Sequence, residues 1–302
     1  MALKNVLVTG AAGLIGNATL KLLIQNNYNV IGLDFNDIDA TLNIPFLKIN
    51  LSDFDPSDLE EFNITSIVHC AAHPGGKSLQ EPELDVEINA LASIKLFNWA
   101  ALNNKEVIYL SSSAVYGDHP DAPTKEDGPT DPGTIYAICK VACERFLKTL
   151  NEAHGLKYTV LRLFATYGAG HKPNKFQGIV NIMKTQLIEG NNVIIKGSPL
   201  RVRGMLYVDD AASAILRTLE LESARGQIIN ISHPEPTTIK NIIIELCKVL
   251  GINFEDIKII EEQGTIGDTF YNYACTKKME TILNFNPTYN LRSGLTKLIS
   301  YK

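Results

Sequence analysis

A doubly wound parallel α/β sheet with a smaller C-terminal α/β lobe is predicted by three observations. Short β-rich runs alternate with helical patterns through the first half of the chain, a glycine-rich turn separates the first run from the first helix, and the rhythm loosens after Phe164. Parallel strands joined through helices cross over right-handedly, which leaves a twisted sheet covered on both faces.

The elements follow in order. Asn5-Val-Leu-Val-Thr9 is a near-continuous apolar run, as a strand buried on both faces requires. Residues 14–25 carry helical spacing and stop at Asn26-Asn27. Residues 30–34 form a second strand; 46–51, 66–71, 107–112 and 159–164 supply four more. Long helices are predicted over 86–103 and 135–153. Beyond Phe164, helices are expected over 176–189, 209–221, 237–250 and after Leu291, with short strands at 193–196 and 228–232. The chain thus divides into a cofactor domain, 1–164 with about 205–231, and a substrate lobe, 165–204 with 232–302; the cleft between them is the expected ligand site.

Composition narrows the function classes. Of 302 residues, 45% are hydrophobic and 20% charged, and the net charge of -5 offers no basic footprint for nucleic acid or an anionic membrane. The start of the chain lacks the charged lead and apolar stretch of a signal peptide, and no apolar run approaches membrane-spanning length. The five cysteines, Cys70, Cys139, Cys143, Cys247 and Cys275, show no CxxC pair or metal-ligand spacing, so no metal is expected. They read as reduced thiols in a cytoplasmic setting.

Thr9-Gly10-Ala-Ala12-Gly13-Leu14-Ile15-Gly16 lies between the first strand and first helix, the context of a Rossmann-type dinucleotide fingerprint. Gly10 permits the tight turn, Gly13 the approach of backbone N–H groups to a pyrophosphate, and Gly16 close packing of helix on strand. Asp34 ends the second strand, where a carboxylate accepts from ribose hydroxyls and repels a 2′-phosphate. Phe35 and Asn36 follow with no arginine, so NAD is expected rather than NADP.

The fifth strand ends in Ser111-Ser112-Ser113, and Tyr136-Ala-Ile-Cys-Lys140 follows. Tyr136 and Lys140 stand at i and i+4 on one helix face. Oxidising a carbinol needs a base for the hydroxyl proton, and a free tyrosine, pKa about 10, is protonated at neutral pH. A nearby ammonium and a positively charged nicotinamide favour the phenolate, and Ser112 can hold the substrate oxygen. His69 reads as a strand-end residue, and His73, Lys77 and Ser78 as a loop beside the cleft.

With these segments the sequence resembles the extended short-chain dehydrogenases/reductases, the NAD-dependent epimerase/dehydratase group. The likeness runs nearly end to end, through His69-Cys-Ala71-Ala72, Asn89, Ser111 to Gly117, Leu161-Arg-Leu163-Phe164-Ala-Thr-Tyr-Gly168, Arg203-Gly-Met-Leu-Tyr-Val-Asp-Asp210 and Asn286-Pro287. It implies Tyr136, Lys140 and Ser112 as catalytic residues, Ser112 being four positions before Tyr116-Gly117. It implies NAD contacts from the glycine turn (Gly10, Ala12, Gly13, Leu14, Ile15, Gly16), Asp34, Asn50, Leu51, Ala71, Ala72, Asn89, Ser111, Tyr136, Lys140, Leu163 and Phe164. Ser112, Ser113, Tyr136, Lys172, Gln177 and Arg203 are the implied substrate contacts. Lys172, Pro173 and Gln177-Gly178 look like the UDP-glucose 4-epimerase branch, and Arg203 matches an arginine that grips the nucleotide diphosphate.

Three departures stand out. Ser113-Ala114 replaces the Asp-Glu pair of 4,6-dehydratases, which disfavours dehydration. Ala165 replaces the usual asparagine of Arg-x-x-Asn, and a second diphosphate-gripping arginine is absent near Thr265. These leave open which sugar nucleotide is used. The expected function is a sugar-nucleotide epimerase, UDP-hexose class, working by transient oxidation at C4. A keto-sugar-nucleotide reductase or dehydrogenase is the alternative, and an idle NAD-binding scaffold the remote one. The resemblance also implies a homodimer.

Overall fold

The computed structural model describes residues 4–118, 122–170, 178–190 and 192–301. Its elements in chain order are β1 (Asn5–Thr9), α1 (Leu14–Gln25), β2 (Asn29–Asp34), β3 (Phe46–Lys48), β4 (Ser66–His69), α2 (Pro82–Val86), a π-helical turn (Glu87–Ala92), α3 (Ser93–Leu102), β5 (Glu106–Ser112), α4 (Ile135–His154), β6 (Tyr158–Leu163), β7 (Ala165–Tyr167), α5 (Ile179–Glu189), β8 (Asn192–Lys196), β9 (Val202–Tyr207), α6 (Val208–Glu220), β10 (Ile228–Ile231), β11 (Pro236–Thr238), α7 (Ile239–Leu250), β12 (Lys258–Glu262), β13 (Tyr271–Asn272), α8 (Lys277–Ile282) and α9 (Leu291–Ser300).

Seven strands form one sheet in the order β10-β6-β5-β4-β1-β2-β3, all neighbours parallel. The chain runs outward from β1 in one direction and from β4 in the other, so the crevice between their C-terminal ends is the topological switch point where open α/β sheets bind ligands. Strand residues alternate between two cores. Val6, Val8, Ile108, Leu110 and Ile229 pack with Leu20, Leu23 and Ile215 of α1 and α6. Leu7, Val107, Tyr109 and Val160 pack with Leu96, Phe97, Cys143 and Leu147 of α3 and α4. Each fully buried Leu or Val stabilises by about 1.5–3 kcal/mol, and both faces are covered.

The remaining elements build smaller sheets: β9 pairs with β7, β11 and β13, and β8 with β12. Their core joins Val180, Met183, Tyr207, Ile242 and Leu246. Among the described residues no helix is long and apolar enough to cross a membrane.

Several boundaries differ from the sequence reading. The helix expected over 86–103 begins at Pro82, which fits a first helical turn, and is interrupted by the π turn. Strands three and four stop at Lys48 and His69, because the chain then leaves the sheet toward the cleft. The helix expected from residue 237 starts at Ile239, since Pro236–Thr238 is drawn into antiparallel pairing with β9. Residue 176, the expected start of α5, lies outside the described residues.

One buried ion pair ties α4 to the sheet. Arg162 donates to Glu144 Oε1 at 3.0 Å and Oε2 at 2.6 Å, and Ser111 Oγ donates to the same Oε1 at 2.6 Å. Burial alone would lower the guanidinium's pKa; Glu144 overcomes this and raises it. Glu144→Gln is expected to strand the buried Arg162 charge and lower the unfolding free energy by about 3–5 kcal/mol, while the double change Glu144→Leu with Arg162→Met regains most of it. Denaturant unfolding of the two variants measures both.

Candidate active site

The glycine turn is shaped by close backbone approach. Gly10 sits at φ +67°, and a Cβ on it would come within 2.6 Å of the Ala71 nitrogen; a Cβ on Gly16 would run into the Gly10 carbonyl oxygen. Gly13 N–H donates to Gly10 O at 3.0 Å. Gly13 also occupies the cap position of α1, with no side-chain cap and no acidic residue in the first turn. The helix therefore presents open N–H groups and its positive end to the cleft, a cradle that fits a pyrophosphate. Asp34 closes one side: Oδ2 accepts from Ala12 N–H at 3.0 Å and Oδ1 from Asn36 N–H at 2.8 Å. The carboxylate is thereby fixed at the cleft wall with lone pairs left for ribose hydroxyls. The residues present fit NAD.

At the other side stands α4, capped by Thr134, whose Oγ1 accepts from Ala137 N–H at 3.2 Å. Tyr136, Lys140 and Glu144 follow as a stripe at i, i+4 and i+8. Tyr136 N–H donates to Ser78 Oγ at 2.9 Å, and its ring backs onto Gly75, where a Cβ would lie 3.1 Å away. Its phenol pairs with the Ser112 hydroxyl, and Ser112 Oγ accepts from Ala114 N–H at 3.2 Å. Burial pushes the phenol up to about 12; the Ser112 bond pulls it down, and the buried Asp85 carboxylate adds to the rise. Lys140 Nζ donates to Leu110 O at 2.7 Å and lies 4.6 Å from the Tyr109 ring centre and 5.5 Å from that of Tyr136. Burial pushes the ammonium down to about 8.

Lys140 alone does not hold the phenol low. Both groups are desolvated, which disfavours both charged forms, and the ammonium is engaged by a backbone carbonyl. Burial instead drives the two apart, the phenol up and the ammonium down, so added positive charge at the cleft is what favours proton release from Tyr136.

The cleft is about 1090 Å³ and lined by Gly10, Ala12, Gly13, Leu14, Ile15, Gly16, Asp34, Asn50, Leu51, Ala71, Ala72, Ser111, Ser112, Ser113, Tyr136, Lys140, Leu163, Phe164 and Arg203. Asn89 is not on its wall. Its carboxamide instead clamps the loop after β4, accepting from His73 N–H at 2.8 Å and donating to His73 O at 3.1 Å. Ser111 faces the cleft but its hydroxyl is committed to Glu144. Lys172 and Gln177 lie outside the described residues. Ala165 lines the cleft with no side-chain donor, and Thr265 is exposed.

His69 is fully buried between Thr9 Oγ1 at 2.7 Å and Ser93 Oγ at 2.9 Å, and burial pushes it down to about 3. It is a neutral hub, as its strand-end reading has it. His73 does reach the cleft, with Nε2 2.7 Å from Glu81 Oε2.

Four further residues were not singled out from the sequence. Glu144 continues the Tyr136–Lys140 stripe by one more turn, a signal that was there to read. Asp85, completely buried and bonded to Asn89, has no such signal. Arg201 and Asp268, 67 residues apart, meet at Arg203 only in the folded chain. Among the described residues no cluster of His, Cys, Asp or Glu could hold a metal ion.

Lys140 carries a pH signature. Its pKa falls from 10.5 unfolded to about 8 folded, so between those values the unfolded chain binds the extra proton and stability rises with pH. Relative to Lys140→Met, the unaltered protein is expected to gain about 3 kcal/mol across this window, measured by denaturant unfolding at stepped pH.

Known proteins are similar to this chain in sequence and fold. A putative UDP-glucose 4-epimerase of Methanocaldococcus jannaschii is 28% identical over 304 residues, covering 98% of this chain and 97% of the relative. UDP-glucose 4-epimerase from Thermotoga maritima, solved with UDP-glucose, superposes with a TM-score of 0.91 at 28% identity over 98% of each chain. UDP-glucuronic acid 4-epimerase from Bacillus cereus, solved with UDP-glucuronic acid and NAD, gives 0.89 at 26% identity over 98% of each chain. Residues 6–232 match the NAD dependent epimerase/dehydratase family, and the chain belongs to it.

Proposed function

We propose that this chain is an NAD-dependent sugar-nucleotide epimerase, acting on a UDP-hexose and inverting C4 by transient oxidation. The observation that carries the reading is the Tyr136–Ser112 pair, backed by the buried Lys140, in the same cleft as the glycine cradle and Arg203. NAD, when bound, supplies the acceptor that takes and returns a hydride. Tyr136 accepts the proton of the 4-hydroxyl, Ser112 hydrogen-bonds the same oxygen, and Lys140 supports the phenolate from behind. The 4-keto sugar turns over within the cleft, and Tyr136 returns the proton to the opposite configuration. Of the implied cofactor contacts, Asn89 acts through the His73 loop, and Ser111 through Glu144. Arg203 grips the diphosphate; Ser113, Lys172 and Gln177 complete the proposed substrate contacts. A role in supplying sugars for polysaccharide biosynthesis follows from this substrate class.

The domain division proposed is 1–164 with about 205–231 for NAD, and 165–204 with 232–302 for the sugar nucleotide. The pairing of β10 with β6 and the packing of α6 on α1 support it. A cytoplasmic setting is supported by five unpaired cysteines. A homodimer is supported by large apolar side chains exposed on the π turn and α4, namely Leu91, Ile138 and Phe146.

Tyr136→Phe is expected to reduce turnover at least a thousandfold while NAD affinity stays within a few-fold. The assay incubates the protein with UDP-, dTDP-, GDP- and CDP-sugars and follows both sugar identity and reduced-nicotinamide absorbance. Stoichiometric reduction or oxidation of the nicotinamide would replace epimerisation with net redox chemistry. Ile138→Asp is expected to shift the solution mass from dimer to monomer, checked by sedimentation.

A further inference from the structure

At the end of the cleft away from the glycine cradle, one carboxylate serves two arginines. Arg203, on the cleft wall, donates from Nη2 to Asp268 Oδ1 at 2.8 Å and from Nη1 to Val202 O at 2.8 Å and Phe270 O at 3.4 Å. Arg201, two residues earlier on the chain, pairs through Nη1 with Asp268 Oδ2 and donates from Nε to Ser198 O at 3.0 Å and from Nη2 to Lys196 O. Arg201 does not line the cleft. The side chains of Arg201, Arg203 and Asp268 are only 9, 12 and 17% exposed, so their mutual interaction is weakly screened. Burial, then the neighbouring Arg201, pushes the Arg203 guanidinium down to about 10, which leaves it charged at neutral pH. A further carboxylate acting on Arg203 is Asp118, which is exposed and engaged by Phe270 N–H at 3.0 Å.

The count of buried charges is then two positive and one negative. With Arg203 and Asp268 alone, a ligand would meet a neutral ion pair, and a buried pair attracts an anion poorly because its own carboxylate repels it. Arg201 changes that balance from behind the wall.

We propose that Arg201 is a positioning residue that neutralises Asp268 and so leaves Arg203 a net cation toward the diphosphate of the sugar nucleotide. The inference rests on the proposed sugar-nucleotide reading of this cleft. It differs from a simple packing role because it depends on net charge, and net charge can be restored by a second change at a different residue.

The test is calorimetric titration of the NAD-loaded protein with UDP. Arg201→Gln makes the buried count neutral and is expected to weaken UDP about tenfold. Arg201→Lys keeps the charge and is expected to bind UDP within about threefold of the unaltered protein. The double variant Arg201→Gln with Asp268→Asn returns the count to one positive charge, on Arg203, and is expected to regain most of the lost affinity. NAD content and melting temperature of each variant report whether the fold is kept; if Arg201→Gln alone proves unstable, the Arg201→Lys and double variants still decide. Unchanged UDP binding in Arg201→Gln, or a double variant as weak as the single one, overturns the charge argument while sparing the epimerase reading. Failure of the unaltered protein to bind UDP takes down both.

Discussion

The site depends on one buried ammonium. Lys140 is 3% exposed, and taking such a charge out of water is costly unless partners replace its hydration. Here they are the Leu110 carbonyl and the face of Tyr109, with Glu144 and Asp85 adding favourable field. Leu110 lies one residue beyond the last pair of β5 with β4, His69 with Tyr109, so on that side no strand faces its backbone and its carbonyl goes to the lysine. The last residues of β5 therefore do two things at once: they seat the lysine, and they carry Ser112 to the phenol one helical turn away. Helix α4 has little freedom to shift without losing the lysine's partners, and this fixes Tyr136.

A second clamp works from the opposite side. The loop after β4 passes under the phenol at Gly75 and Ser78, and Asn89 holds its His73 backbone from both ends. Asn89 can turn inward because the helix widens into a π turn at that point, and Ser93 Oγ takes the Ile88 carbonyl at 3.3 Å. A π turn inside a helix is commonly found at functional sites, where it re-aims a side chain. Its irregularity has a use here: it brings a carboxamide to a loop that a regular helix would leave unsupported.

Most of the parallel sheet was legible in the sequence because its signals are local. β1, α1 and β5 are buried runs and amphipathic stretches with punctuation at their ends, and the Gly10 turn, Asp34 and the Tyr136–Lys140 pair each lie within a few residues of a recognisable element. The second lobe was less legible. β7 and β13 span three and two residues, too short for a period, and they exist because β9 gives them a partner. The π turn escaped notice because apolar spacing over 86–103 is compatible with a regular helix; what breaks the register is the non-local demand of His73. The hold of Asn89 on His73 was hidden for the same reason, since its type and position are visible in the chain but its partner is not.

The charges of the cleft are arranged by region. Its glycine-cradle side carries Asp34, held by two backbone N–H groups, beside the open end of α1. Its centre holds a phenol and an ammonium, both desolvated; at neutral pH the phenol keeps its proton and Lys140 carries the charge. Its far end gathers Arg201, Arg203 and Asp268. The loop bearing Asp268 is joined to the entry of α4, where a Cβ on Gly133 would lie 3.2 Å from the Gly267 Cα. The cationic end and the phenol are thus mounted on one continuous contact, Asp268 to Gly267 to Gly133 to the Thr134 cap. An anion held at Arg203 is registered against the same helix that carries Tyr136. On the proposed reading, a diphosphate at Arg203 would set the distance of the attached sugar from the Tyr136 hydroxyl, because both are fixed to the same helix entry.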